Sequence, residues 1–241
     1  MNKGFTLIEL GIVILIISTL SVIVLGGRSL ITSSKVGNVI AKMSEIDTSI
    51  KSISIEYNNL PGDLNLNDEN YFPSYSGEPV CADQHSGDGD GKIESSGETD
   101  AAAIEDSTCE ELILWGHLKE AELYPHAEGV GFSIGGDMTK SPLSSISQSY
   151  YEVGYEELGG ANDNYIRLGS LHSDDLKGAA LVSKNARSID KKVDDGVPNT
   201  GRLISQDGAD VSSGDCFSGN SYNLINKQTA CTIYNLLDIM G

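Results

Sequence analysis

Oxygen donors recur at alternating positions in Ser86-Gly87-Asp88-Gly89-Asp90-Gly91-Lys92-Ile93-Glu94, with Glu98 following shortly after. A calcium loop of the EF-hand type takes oxygens at positions 1, 3 and 5, a glycine at 6 for the sharp turn, a backbone carbonyl at 7 and a bidentate carboxylate at 12. With Gly91 at position 6, Ser86, Asp88 and Asp90 fall at 1, 3 and 5 and Lys92 offers its carbonyl at 7. Glu94, or Glu98 one residue late, closes the shell. Calcium is therefore the expected cation. A solvated acidic turn is the competing reading, since Gly, Asp and Ser also build ordinary turns. A second acidic stretch, Asp63-Leu64-Asn65-Leu66-Asn67-Asp68-Glu69-Asn70, reads first as a solvated loop, with a cation site as the lesser alternative.

Other chemistry is thinly supplied. His85, His117, His126 and His172 are scattered, and no H-E-x-x-H, G-x-S-x-G or phosphate-cradling glycine loop occurs. No catalytic activity and no organic cofactor are expected. The 16 basic and 35 acidic side chains give a net charge of −19, which disfavours nucleic acid as the main partner because phosphate binding needs Lys/Arg clusters. Cys81, Cys109, Cys216 and Cys231 lack the C-x₂-C spacing of a zinc site. On an exported chain an even count implies disulfides. Of the three possible pairings, neighbours in sequence are expected: Cys81 with Cys109 and Cys216 with Cys231. The second would close a loop worth about 3 kcal/mol in the chain-entropy model.

One carboxylate stands in an unexpected place. The apolar run from Phe5 to Gly27 holds a single charge, Glu9. As a helix rising ~1.5 Å per residue the run would measure roughly 35 Å, enough for a hydrocarbon core of about 30 Å, so it is expected to span a bilayer. A carboxylate there costs about 2.5–3.5 kcal/mol and needs a partner. The run contains no Lys, Arg or His, so the partner must come from another molecule or from an ammonium created on this one. A secretory signal peptide fits poorly: the run is too long, one lysine precedes it and no A-x-A site follows.

Gly4-Phe5-Thr6-Leu7-Ile8-Glu9-Leu10 resembles the processing motif of type IV prepilins and of the pseudopilins of type II secretion. The resemblance implies that a prepilin peptidase cuts after Gly4 and methylates Phe5, and that Glu9 of one subunit pairs with the new Phe5 ammonium of another. It implies a structural subunit of a type IV pilus-like filament, with a minor pilin or pseudopilin acting as a binding or secretion module as the alternative. The implied partners are copies of itself or other pilins, the peptidase, an inner-membrane assembly machine and, before assembly, the membrane. The implied location is the bacterial inner membrane in a single pass with the head in the periplasm, and the cell surface or an extracellular filament after assembly. Tyr57-Asn58-Asn59-Leu60-Pro61-Gly62-Asp63 also resembles a stretch found just after the stalk in one group of prepilin-like proteins. The Cys216–Cys231 loop would be similar to the disulfide-bounded region near the end of many type IV pilins. Acidic calcium loops in pseudopilin heads, at other positions, add to the cation reading. Many type IV pilins carry a proline about where this chain has Gly26-Gly27, and paired glycines also weaken a helix interior.

The elements that must carry these groups follow from periodicity. Ile31, Val36, Val39, Ile40, Met43, Ile46, Ile50, Ile53 and Tyr57 recur at three- and four-residue steps, the mark of an amphipathic helix. One helix is expected from Phe5 to Asn58, ended at Asn59-Leu60-Pro61-Gly62-Asp63. Cys109–Leu123 and Lys184–Asp195 read as short helices, the second with Ala186, Ile189 and Val193 on one face. Ser149–Gly154, Asn164–Gly169 and Gly201–Ser205 read as strands. The expected fold is α+β: a long N-terminal helix, half membrane-spanning and half amphipathic, packed on a loop-rich head with an antiparallel sheet and short helices. The expected division is leader 1–4, membrane-spanning and polymerisation helix 5–27, stalk helix 28–58 and head 59–241.

Overall fold

The computed structural model describes residues 6–64, 87, 89–94, 110–124, 142–146, 148–158, 160–173 and 175–238. Helix α1 runs Leu7–Tyr57. Its C-terminal half buries Val36, Val39, Met43, Ile46, Ile50 and Ile53 in the core, with Ile40 and Tyr57 packed at the margin. Ile31 departs from the expected stripe and is exposed. The helix stops at Asn58, whose left-handed conformation turns the chain, a conformation asparagine tolerates better than most residues.

The expectation of a membrane-spanning first half, and with it a single-pass inner-membrane location, is corrected. Among the described residues no helix is long and apolar enough to cross a membrane. From Leu7 to Leu20 the large apolar side chains of α1 are exposed. Further along, α1 carries Lys35, Lys42, Glu45, Asp47 and Lys51 among its apolar positions. α1 thus begins with exposed apolar side chains and continues as an amphipathic packing helix on a sheet-rich domain.

Helix α2, Glu110–Glu120, adds Leu114, Trp115 and Leu118 to the core. An antiparallel sheet follows. Strands β1 (Ser149–Leu158) and β2 (Ala161–His172) form a long hairpin, and β3 (Asp175–Gly178) pairs with β2. Strand β4 (Leu181–Val182) leads into α3, Ser183–Val193. Strand β5 is Leu203–Asp207, β6 and β7 (Phe217–Ser218, Ser221–Tyr222) make a small separate hairpin, and β8 is Thr229–Leu236. Strand β8 pairs with β2, β4 and β5, so the latest strand in sequence lies inside the sheet.

The two sheet faces differ. Tyr151, Val153, Ile166, Leu168, Leu203 and Ile233 face the helices, while Leu158, Tyr165, Ile204 and Tyr234 form a second cluster with Leu236 beside it. This is the side-chain alternation that strand geometry imposes. In α3, Ala186 and Ile189 are buried as expected, but Val193 is exposed and Asp190 is buried in its stead. The disulfide Cys216–Cys231 ties the β6–β7 region to β8 across a Cα separation of 4.9 Å. Cys81 and Cys109 lie outside the described residues.

Candidate functional site

The N-terminus of α1 is a capping box. Thr6 precedes the helix in an extended conformation, and its hydroxyl oxygen accepts from the Glu9 amide at 3.3 Å. The Glu9 carboxylate in turn accepts from the Thr6 amide at 2.8 Å and from the Thr6 hydroxyl at 2.7 Å. Two otherwise orphaned helix-end amides are satisfied reciprocally, and the negative charge sits at the positive end of the helix dipole. Around this polar knot Leu7 is 92% exposed and Ile8 72%. Leu10, Ile12, Val13, Ile14, Leu15, Ile16, Ile17 and Leu20 are exposed on all sides of the helix. The hydroxyls of Ser18, Thr19 and Ser21 donate back to the carbonyls of Ile14, Ile16 and Ile17 and so leave little polarity on this surface. Gly4 and Phe5 lie outside the described residues.

The expected cation loop is centred on a residue from elsewhere in the chain. Asp63, read from sequence as part of a solvated loop, is completely buried, and that reading is corrected. One of its carboxylate oxygens accepts from the amides of Gly89 (2.6 Å) and Asp90 (3.2 Å), and the other from that of Gly91 (2.7 Å). Glu110, also buried, accepts from the Glu94 amide at 2.9 Å. The Asn164 side chain accepts from the Ile93 amide and donates to the Gly91 carbonyl, which leaves that carbonyl a second lone pair. The Lys92 ammonium pairs with the Asp90 carboxylate, and this pairing holds the Asp90 carboxyl below its usual value. Ser86, Asp88 and Glu98 lie outside the described residues.

The Pro61-Gly62 turn delivers Asp63. Gly62 has a left-handed φ of 94°, a Cβ there would collide with the Glu110 carbonyl oxygen, and its amide donates to His117 Nδ1 at 2.9 Å. The Pro-Gly signal gave away the turn. Nothing near Asp63 in sequence announced partners more than twenty residues away.

Among the described residues the acidic group able to hold a metal ion is Asp190, Asp194 and Asp195, at the end of α3. Its carboxylates are already engaged. Asp190 accepts from the Gly196 amide and the Tyr222 hydroxyl, Asp194 from the Leu203 amide, and Asp195 from the Val197 amide and the Thr200 hydroxyl. Burial pushes the Asp190 carboxyl up against the pull of Tyr222, while the Thr200 hydroxyl draws that of exposed Asp195 down. In sequence they stand out only as part of the helix expected over Lys184–Asp195.

A buried ion network crosses the other sheet face. Arg167 on β2 reaches the Glu152 carboxylate with Nε (3.2 Å) and Nη2 (2.6 Å) and Asp175 with Nη2 (2.5 Å). Its Nη1 stands 3.7 Å from the Glu156 carboxylate. The guanidinium lies over the rings of Tyr165 and Tyr234, at 5.6 and 5.7 Å. Arg167 itself is 1% exposed, while Asp175 and Glu156 are partly exposed and also pair with Lys177 at the rim.

Comparison with protein-family models, with curated proteins and with solved structures found no match.

Proposed function

We propose that this chain is a structural subunit of a type IV pilus-like filament, cut by a prepilin peptidase after Gly4 and polymerised through α1. The observation that carries the reading is the beginning of α1, where exposed apolar side chains surround a single carboxylate. Contiguous apolar surface of this kind marks an interaction site. Packing against α1 of other copies would cover it, and the Phe5 ammonium released by cleavage would neutralise Glu9 in the packed state. The amphipathic half of α1, anchored through Val36 to Ile53, would hold the head at a fixed position relative to that contact. The test is the intact mass of the protein from its native cells. Loss of Met1–Gly4 with one methyl group on Phe5 is expected, and an unprocessed N-terminus would end the reading.

Calcium in the loop Ser86–Glu98 belongs to the same proposal. Two buried carboxylates from outside the loop, Asp63 and Glu110, accept from its backbone amides, and they would hold the turn on which the alternating aspartates supply hard oxygen donors. With calcium at about 100 times its dissociation constant, stabilisation of about 2.7 kcal/mol is expected, roughly 5–10 °C in melting temperature for a domain of this size. The shift should disappear in Asp88→Ala/Asp90→Ala. Equal melting of the unsubstituted chain in calcium and in chelator would remove calcium as a structural ligand.

A further inference from the structure

Helix α3 carries charge of the wrong sign for this protein. It holds four of the chain's 16 basic side chains, Lys184, Arg187, Lys191 and Lys192, and one of its 35 acidic ones, Asp190. Asp190 is buried. At 100° per residue Lys184, Arg187 and Lys191 fall within a sector of about 60°, on the side opposite Ala186 and Ile189, which pack into the core. Lys192 flanks that stripe. Lys184, Lys191 and Lys192 are exposed and Arg187 is half-buried. None of the four makes an ion pair among the described residues. The carboxylates nearest in sequence are turned elsewhere: Asp194 to the Leu203 amide, and Asp195 to the Val197 amide and the Thr200 hydroxyl.

We infer that the basic face of α3 is an intersubunit contact, and that its occupant is the acidic surface of a second copy of this chain. The inference rests on the filament reading. The argument is charge complementarity. Two copies carrying −19 each repel one another, so close lateral packing requires a local patch of opposite sign. Such a patch also fixes orientation, because like-charged alternatives are penalised. α3 supplies one on a rigid helix already packed against α1, β4 and β8. A polyphosphate partner would meet the same four cations but also the acidic remainder of the chain, which lowers the return per phosphate.

The experiment uses the full-length chain as the sole subunit source in its native cells. Lys184→Glu/Arg187→Glu/Lys191→Glu is compared with wild type and with the Lys184→Gln/Arg187→Gln/Lys191→Gln variant. Because the side chains are unpaired, melting temperatures should stay unchanged; if the reversed variant fails to fold, the neutral one carries the test. The reversed variant is expected to lose about tenfold in sheared-filament yield, the neutral one less, and wild-type filaments should loosen as salt rises. Reversal that assembles like wild type would overturn the contact. So would normal assembly combined with loss of binding to anionic vesicles or to duplex DNA, which would hand the patch to another partner. If wild-type cells make no filaments, the filament reading fails by itself. The α3 contact would then stand or fall on whether low-salt self-association of the purified chain is abolished by the same reversal.

Discussion

Filaments are expected to disappear altogether when Glu9 is replaced by Leu in cells with no other source of the subunit. In the free chain the Glu9 carboxylate is exposed and tied to Thr6, so the isolated subunit tolerates the change. In the packed state proposed here, apolar neighbours would cover the beginning of α1 and the Phe5 ammonium would be buried beside Glu9. Removing one member of a buried pair leaves the other uncompensated, at about 3–5 kcal/mol. Repeated at every subunit contact, a loss of roughly two to four powers of ten in each association step stops growth. Glu9→Gln separates the two roles of this side chain. It keeps an oxygen to accept from the Thr6 amide, so the helix end survives, but it cannot neutralise the ammonium, so assembly should still fail. Cleavage after Gly4, read by mass, should continue in both variants. Normal filament yield from either would dismiss the pairing mechanism while leaving the processing prediction intact.

Arg167→Leu is expected to be the most damaging single change in the head. Arg167 is 1% exposed and neutralises Glu152 while also touching Asp175. Without it Glu152 keeps a poorly solvated carboxylate and the cluster around Tyr165 and Tyr234 gains an unpaired charge. The expected cost is about 3–5 kcal/mol by urea denaturation at pH 7. Adding Glu152→Leu should recover much of the loss, since apolar replacement of a whole buried pair is often neutral. The pH dependence provides a separate signature. Burial already pushes the Glu152 carboxyl up, and Arg167 pulls it back. Removing the guanidinium raises it further, so the folded state binds a proton more tightly than the unfolded one. The deficit is then largest above the raised value and narrows as pH falls toward the ordinary 4.5. A deficit that is flat across this window would mean that the loss comes from packing and not from stranded charge.

The parts legible in sequence were those whose partners are close along the chain. The stripe from Val36 to Ile53 was plain because a helix repeats its buried face every three or four residues, and Ala186 and Ile189 were read the same way. Cys216 and Cys231 were sequence neighbours among the cysteines and did pair. β8 escaped because Ala230 through Asn235 are all buried, so Thr-Ala-Cys-Thr-Ile-Tyr-Asn-Leu shows none of the alternation that marks a half-buried strand. Arg167 reads as a solvent-facing charge until the second apolar cluster is seen to close over that face. Asp63 looks like turn chemistry, and only the fold brings the amides of Gly89, Asp90 and Gly91 to it. Val193 was misplaced because α3 ends there and its last turn leaves the core. The membrane-spanning reading came from counting apolar residues through Gly27, a count that the described helix does not sustain as a span.

The position of β8 sets a timetable. Strands β2, β4 and β5 each hydrogen-bond to residues 229–236, so a nascent chain that has delivered its helices and the β1–β2 hairpin still lacks the strand on which the others meet. Until those residues emerge, β5 and β4 have no partner in the main sheet, and the Cys216 thiol waits for Cys231. Closure of the head is therefore a late event in synthesis. Whatever handles the chain beforehand must keep its exposed apolar helix apart from an unfinished sheet.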